Sequence, residues 1–200
     1  MSIVRHRRRV PCGHGLRKVW NRNYSMGVED YHICARWEDL VDWRRRGLEH
    51  FDFNHETAKL LSAYHGLSPS HSANLAEFFK QRTSETEPLN VSELTILRFA
   101  RYFSVNFCGQ MRQGSPRCDL GMPSWIAFSP ERVQVIASEL DALDLGSFMV
   151  RYRRFADVPL RPDGSYKYWP AGECETYFSQ VVPFWREAAS RHLGILYARL

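Results

Sequence analysis

Apolar and polar positions recur along this chain with two different periods, and the switches between them mark out its elements. In "VEDYHICA" alternation puts Tyr31, Ile33 and Ala35 on one side, the pattern of a strand. "RWEDLVDWRRRG" follows at once and spaces Trp37, Leu40, Val41 and Leu48 for a helix. Glu38 and Asp39 stand at its positive dipole end, Arg44, Arg45 and Arg46 at its negative end, and Gly47 supplies a stop. "FDFNHETAKLLSAYHG" predicts a second helix, capped by Asn54, striped by Ala58, Leu61 and Tyr64, and ended by Gly66. "LSPSHS" reads as a turn, residues 73–82 ("ANLAEFFKQR") as a short helix, and "TSETEP" as an exposed loop. In "NVSELTILRFARYF" Asn90 and Glu93 have capping-box spacing, and Leu94, Leu97 and Arg101 form a less clean stripe.

Periodicity lapses from Asn106 to Ser124, a Gly-, Pro- and Ser-rich stretch that reads as a long loop. "WIAF" predicts a short strand. "SPERVQVIASELDAL" then has Ser129 as cap, Pro130 at the first helical position, and Val133, Ile136, Ala137, Leu140 and Leu143 as its buried face. "SFMVRYRRF" continues helically, with Phe148, Tyr152 and Phe155 inward and Arg151, Arg153 and Arg154 largely outward. After the irregular "VPLRPDGSYKYWPAG", a last helix over Glu173–His192 stacks Tyr177, Val181, Trp185 and Ala188, with Pro183 expected to kink or divide it and Gly194 to end it. "ILYARL" closes the chain as a strand. The expected architecture is a helix-dominated α+β single domain with a small mixed or antiparallel sheet, built from strands near 28–35, 48–53, 124–128 and 195–200.

Composition agrees with that picture. The 200 residues are 44% apolar, 14% aromatic and 24% charged, ordinary values for one globular domain. No window approaches the roughly 18 apolar residues of a membrane span, and the start lacks the apolar core of a secretory signal. Cys12, Cys34, Cys108, Cys118 and Cys174 are odd in number, scattered and without a C-x-x-C pair, which suits reduced thiols. The expectation is a soluble cytoplasmic protein.

Charge changes the reading of the N-terminus. Residues 1–25 carry seven basic side chains and no acidic one, so a chain of net charge +5 is −2 over Met26–Leu200. The basic character therefore belongs to the extension. Three readings stand open: a targeting peptide, which Pro11, Gly13 and Gly15 oppose by breaking a helix; an arm that contacts nucleic acid or an anionic membrane; and a disordered lead-in ahead of a domain that starts at Met26, the favoured one.

The order of pieces from Met26 on, with "FDFNHETAKLLSAYHG", "FSPERVQVIASELDAL", the aromatic and proline stretch "YKYWP", and "FWREAASRHLGILYARL" after it, resembles the YfbM-like family of bacterial proteins. The resemblance covers about Met26–Leu200 and is most specific over Leu120–Leu200. It implies an α+β fold, no established activity and no catalytic residues to carry over.

Few residue patterns point to chemistry. His50, His55, His65 and His71 lie close in sequence but lack the i, i+4 spacing of helical metal ligands, so no metal is expected. No glycine cluster follows a strand and opens a helix as a phosphate loop must, so no cofactor is expected either. Ser129 lies in "FSPER", where a cap explains it better than a nucleophile. The interleaved "RYRRFADVPLRPDGSYKYW" is the candidate binding surface. Arg154, Tyr166, Tyr168 and Trp169 are its candidate residues, with the three aromatics expected to be at least partly accessible. The favoured function is a non-catalytic binding or interaction protein with a protein or small-molecule partner. The alternatives are an enzyme whose pocket is built from the 106–124 and 156–172 loops, and nucleic-acid binding through residues 1–25.

Overall fold

In a computed structural model the chain is described over residues 30–46, 60–85, 87–103, 120–122, 125–156 and 167–199. The alternating segment forms β1 (Asp30–Ala35), and the amphipathic run behind it forms α1 (Trp37–Arg46), which buries Leu40 and Trp43. β5 (Gly194–Arg199) pairs with β1 on one side and with β4 (Trp125–Phe128) on the other. β2 (Ser62–His65) adds to β1 and β3 (Leu120–Met122) to β4, giving the order β2-β1-β5-β4-β3 with every pairing antiparallel.

The central strand shows why the sheet needs two covered faces. Ile195 and Tyr197 enter a large core and Leu196 and Ala198 a smaller one, so alternate residues of β5 are buried on opposite sides. The smaller core lies under α1 and takes Ile33 and Ala35 from β1. The larger one lies under five helices: α2 (Pro69–Ser84), α3 (Val91–Phe103), α4 (Pro130–Leu140), α5 (Leu145–Ala156) and α6 (Ala171–Ser190). Its rings meet largely edge to face, as Phe78 does with Phe148 at 5.7 Å and Phe99 with Trp185 at 5.7 Å. The fold is a helix-dominated α+β arrangement, as the hydrophobic periods imply.

Local signals account for several helix ends. Ser129 Oγ accepts from the Arg132 amide at 3.4 Å and Pro130 opens α4, whose Val133, Ile136, Ala137 and Leu140 are buried. The same grammar starts α2: Ser68 Oγ accepts from the His71 amide at 3.2 Å, with Pro69 at the first helical position. "LSPSHS" is thus a cap and a first turn, and the helix begins four residues before the expected Ala73. Pro183 does not divide α6, which runs through it with Pro183 on its exposed side. α6 ends at Ser190, and the turn that closes it is made at His192, not Gly194. His192 takes φ 54°, the Leu193 amide donates to the Ala188 carbonyl and the His192 amide to that of Ala189, both at 3.0 Å, which is a Schellman closure. Gly194 is required by packing instead: a Cβ there would lie 2.7 Å from Leu40 Cδ1.

Two further expectations are corrected. The helix expected to run to Tyr64 is, over Ser62–His65, the strand β2, registered Tyr31↔His65 and Cys34↔Ser62. Leu61 and Tyr64 have helical spacing, but the backbone of β1 offers this segment a ladder, and Gly66 lets the chain turn in close enough for its amide to reach the Asp30 carbonyl at 2.5 Å. A Cβ at Gly66 would stand 2.7 Å from Tyr197 Cε2. Leu120–Met122, expected as loop, is strand β3. The strand expected over 48–53 and the extension over 1–25 lie outside the described residues.

Candidate functional site

The C-terminal end of α2, the N-terminus of α3 and the last turns of α5 meet around one glutamate. Asn90 and Glu93 form a full capping box: the Glu93 amide donates to Asn90 Oδ1 and the Asn90 amide to Glu93 Oε2, each at 2.8 Å. The Glu93 carboxylate is completely buried, and a buried carboxylate needs cationic partners. Arg82 of α2, itself 4% exposed, donates from Nε to Glu93 Oε1 at 2.8 Å, and Arg151 of α5 donates from Nη1 to Oε2 at 3.3 Å. Each arginine has a second carboxylate nearer solvent. Arg82 pairs with Glu85, and Arg151 Nη2 donates to Glu87 Oε1 at 2.6 Å. The Glu93 hydrogen bond also raises the Arg82 pKa, so that guanidinium is charged at every pH of interest.

Over this network lies a cleft of about 150 Å³ lined by Phe78, Gln81, Arg82, Glu85, Glu87, Arg151, Arg154 and Phe155. Helical spacing explains much of the lining, since Phe78 and Arg82 share one face of α2, which Glu85 follows as its C-cap, and Arg151, Arg154 and Phe155 share one face of α5. Arg82 and Arg151 take all three carboxylates, Glu85, Glu87 and Glu93. Arg154 is exposed and has no hydrogen bond or ion pair among the described residues. Tyr168 stacks on Phe155 with centroids 4.2 Å apart, and Lys167 Nζ sits 4.9 Å from the Tyr168 ring centroid.

Of the candidate binding residues, Arg154 lines the cleft and Tyr168 stacks on Phe155, another residue of that lining. Trp169 goes elsewhere. It is 4% exposed, stacks on His71 at 4.2 Å, and accepts at its carbonyl the Tyr152 hydroxyl at 3.1 Å, so the accessibility expected of it is corrected. Tyr152 lies fully buried in α5 and its hydroxyl needs an acceptor, while Pro170 at the start of α6 sets the turn that supplies one. Tyr166 lies outside the described residues.

Of the four clustered histidines, the two among the described residues make separate contacts. His65 is exposed and stacks on Tyr31 at 5.3 Å, His71 lies against Trp169, and His50 and His55 are outside the described residues. Among the described residues no group of three His, Cys, Asp or Glu side chains is placed to hold a metal ion. The periodicity gave no hint of His32, whose role rests on a contact 145 residues away: its Nε2 lies 3.1 Å from the Tyr177 hydroxyl. Aromatic rings surround His32, among them Phe103 at 4.8 Å, Tyr197 at 5.4 Å and Trp185 at 5.8 Å. Burial lowers its pKa to about 3 and pushes that of Tyr177 well up, so both stay neutral at pH 7. The buried Cys34 and Cys174 are free thiols whose pKa burial also raises, Cys34 to about 11, which makes them poor nucleophiles.

No family model and no curated protein matches the chain. A solved structure similar to it is that of YfbM from Escherichia coli, a protein of unknown function. The two are 11% identical, the match covers 86% of this chain and 99% of that one, and the TM-score is 0.43. This is a structural resemblance and does not place the chain in that protein's family. Among the described residues no helix is long and apolar enough to cross a membrane.

Proposed function

We propose that the chain is a binding protein without catalytic activity, and that it receives a side chain of a protein partner in the cleft between α2 and α5. The size of the cleft carries this reading. At about 150 Å³ it is well below the roughly 300–1,000 Å³ of sites that enclose small molecules. A volume of about 150 Å³ suits one benzene-sized group, the scale of a single inserted side chain. The charged lining around Phe78 and Phe155 resembles the polar rim and apolar floor of a protein interface. Cytoplasmic location and kinship with the YfbM-like bacterial proteins belong to the same proposal, supported by the free Cys34 and Cys174 and by the sequence resemblance.

Panning a random-peptide display library against the intact protein, then against Gln81→Trp, tests the reading. Gln81 is an exposed residue of the lining, so the indole obstructs the cleft without entering the core. Peptides captured by the parent should be lost on Gln81→Trp. Equal capture by both proteins would sink the proposal.

A further inference from the structure

Resting on that reading, we infer that the group received is an acidic side chain, Asp or Glu, of a partner segment that carries an aromatic or aliphatic residue beside it. The charge pattern of the cleft points to this. Its three arginines face three carboxylates, but these are shared between only two of them: Arg82 pairs with Glu85 and Glu93, and Arg151 with Glu87 and Glu93. Arg154 lines the same cleft and has no acidic partner among the described residues. A guanidinium presents a planar fork of donors that matches a carboxylate in a bidentate pair, so an acidic side chain is the complement of the one unmatched group.

The neighbouring surface supplies the second half of the recognition. Phe155 lines the cleft, half-buried Tyr168 stacks on it from outside that lining, and Lys167 adds a cation over the Tyr168 ring. An apolar residue next to the partner's acid would lie on this aromatic pair while its carboxylate met Arg154. Glu85 and Glu87 decide between a peptide and a nucleic acid. Their side chains are 45% and 63% exposed at the rim, where they oppose a backbone with one negative charge per nucleotide. A peptide places a single carboxylate at Arg154 and can turn backbone N–H donors toward the two glutamates.

The test measures binding of the panned peptides to the parent, Arg154→Glu, Arg154→Gln and Gln81→Trp. Circular dichroism should first show all four proteins folded alike, since both altered residues are exposed. Acidic residues next to aromatic or aliphatic ones should be enriched. Exchanging the peptide's Asp or Glu for Asn or Gln, or introducing Arg154→Glu, should each weaken binding by about tenfold or more, with Arg154→Gln between. Binding lost on Gln81→Trp but indifferent to Arg154→Glu and to the amide exchange would overturn the acidic partner and leave the cleft as the site. Capture unaffected by Gln81→Trp would overturn both. A labelled single-stranded oligonucleotide that binds the parent through Arg154, with no cleft-dependent peptide found, would overturn the inference in favour of nucleic acid.

Discussion

Replacing Glu93 by Gln isolates the energetic role of the buried charge at the centre of the site. Gln has the shape of Glu, and its carbonyl oxygen can still accept the Asn90 amide, so the capping box survives the change. What is lost is the negative charge facing Arg82, a side chain 5% exposed, and Arg151, 23% exposed. Arg151 keeps Glu87 and reaches solvent, whereas buried Arg82 keeps the Pro88 carbonyl and a single carboxylate, Glu85, whose own side chain is 45% exposed. Breaking a buried pair by removing one partner costs about 3–5 kcal/mol. With Glu85 still present the lower end applies, about 3 kcal/mol, a large part of the roughly 5–15 kcal/mol that holds a domain together. Glu93→Ala forfeits the capping bond as well and should cost about 1 kcal/mol more. Urea unfolding read by tryptophan fluorescence measures both, as a fall in the midpoint at unchanged slope. Adding Arg82→Met to Glu93→Gln removes the stranded cation and should restore part of the loss, so the double variant is more stable than the sum of the singles. If Glu93→Gln costs less than about 1 kcal/mol, Arg82 does not depend on the carboxylate and the network is not what organises the cleft.

Leu140→Ala, at a residue 1% exposed on α4, should destabilise by about 2–5 kcal/mol in the same assay, and less than about 0.5 kcal/mol would show that this face of α4 does not meet the core. His192→Gly should stabilise by about 0.4–1 kcal/mol, because φ 54° strains any residue with a Cβ, and a lower thermal midpoint would refute the strain argument. The depressed pKa of His32 sets a pH dependence: the unfolded chain takes up a proton near pH 6.5 that the folded chain refuses until about pH 3. Stability from this group is therefore complete above pH 6.5 and declines as the pH falls toward 3, by at most about 1.4 kcal/mol per unit. His32→Leu should flatten stability against pH over that window, and an unchanged slope would show that other groups set it.

What the sequence determined by itself were the features whose partners lie within about a turn. Ser129 with Pro130, and Asn90 with Glu93, are bonded to atoms three residues away, so spacing alone exposes them. The buried faces of α4 and α5 follow in the same way, because a helix repeats its direction every 3.6 residues and the core must lie on the apolar side. Arg154 and Tyr168 stand in one basic and aromatic stretch, but nothing in its order says that Tyr168 stacks on Phe155.

Only the tertiary structure decided the rest. Ser62–His65 became a strand because β1 supplied its hydrogen bonds, a partner about thirty residues away that overrides the helical spacing of Leu61 and Tyr64. Trp169 has no period to direct it and was drawn inward by His71 and the Tyr152 hydroxyl. Glu93 reads as a helix cap in one dimension and becomes the anchor of two arginines only once α2 and α5 pack against α3, bringing together residues 11 and 58 positions away. Local hydrogen bonds and periodicity are written in neighbouring residues, whereas desolvation of a charge or a ring depends on which distant surfaces close over it.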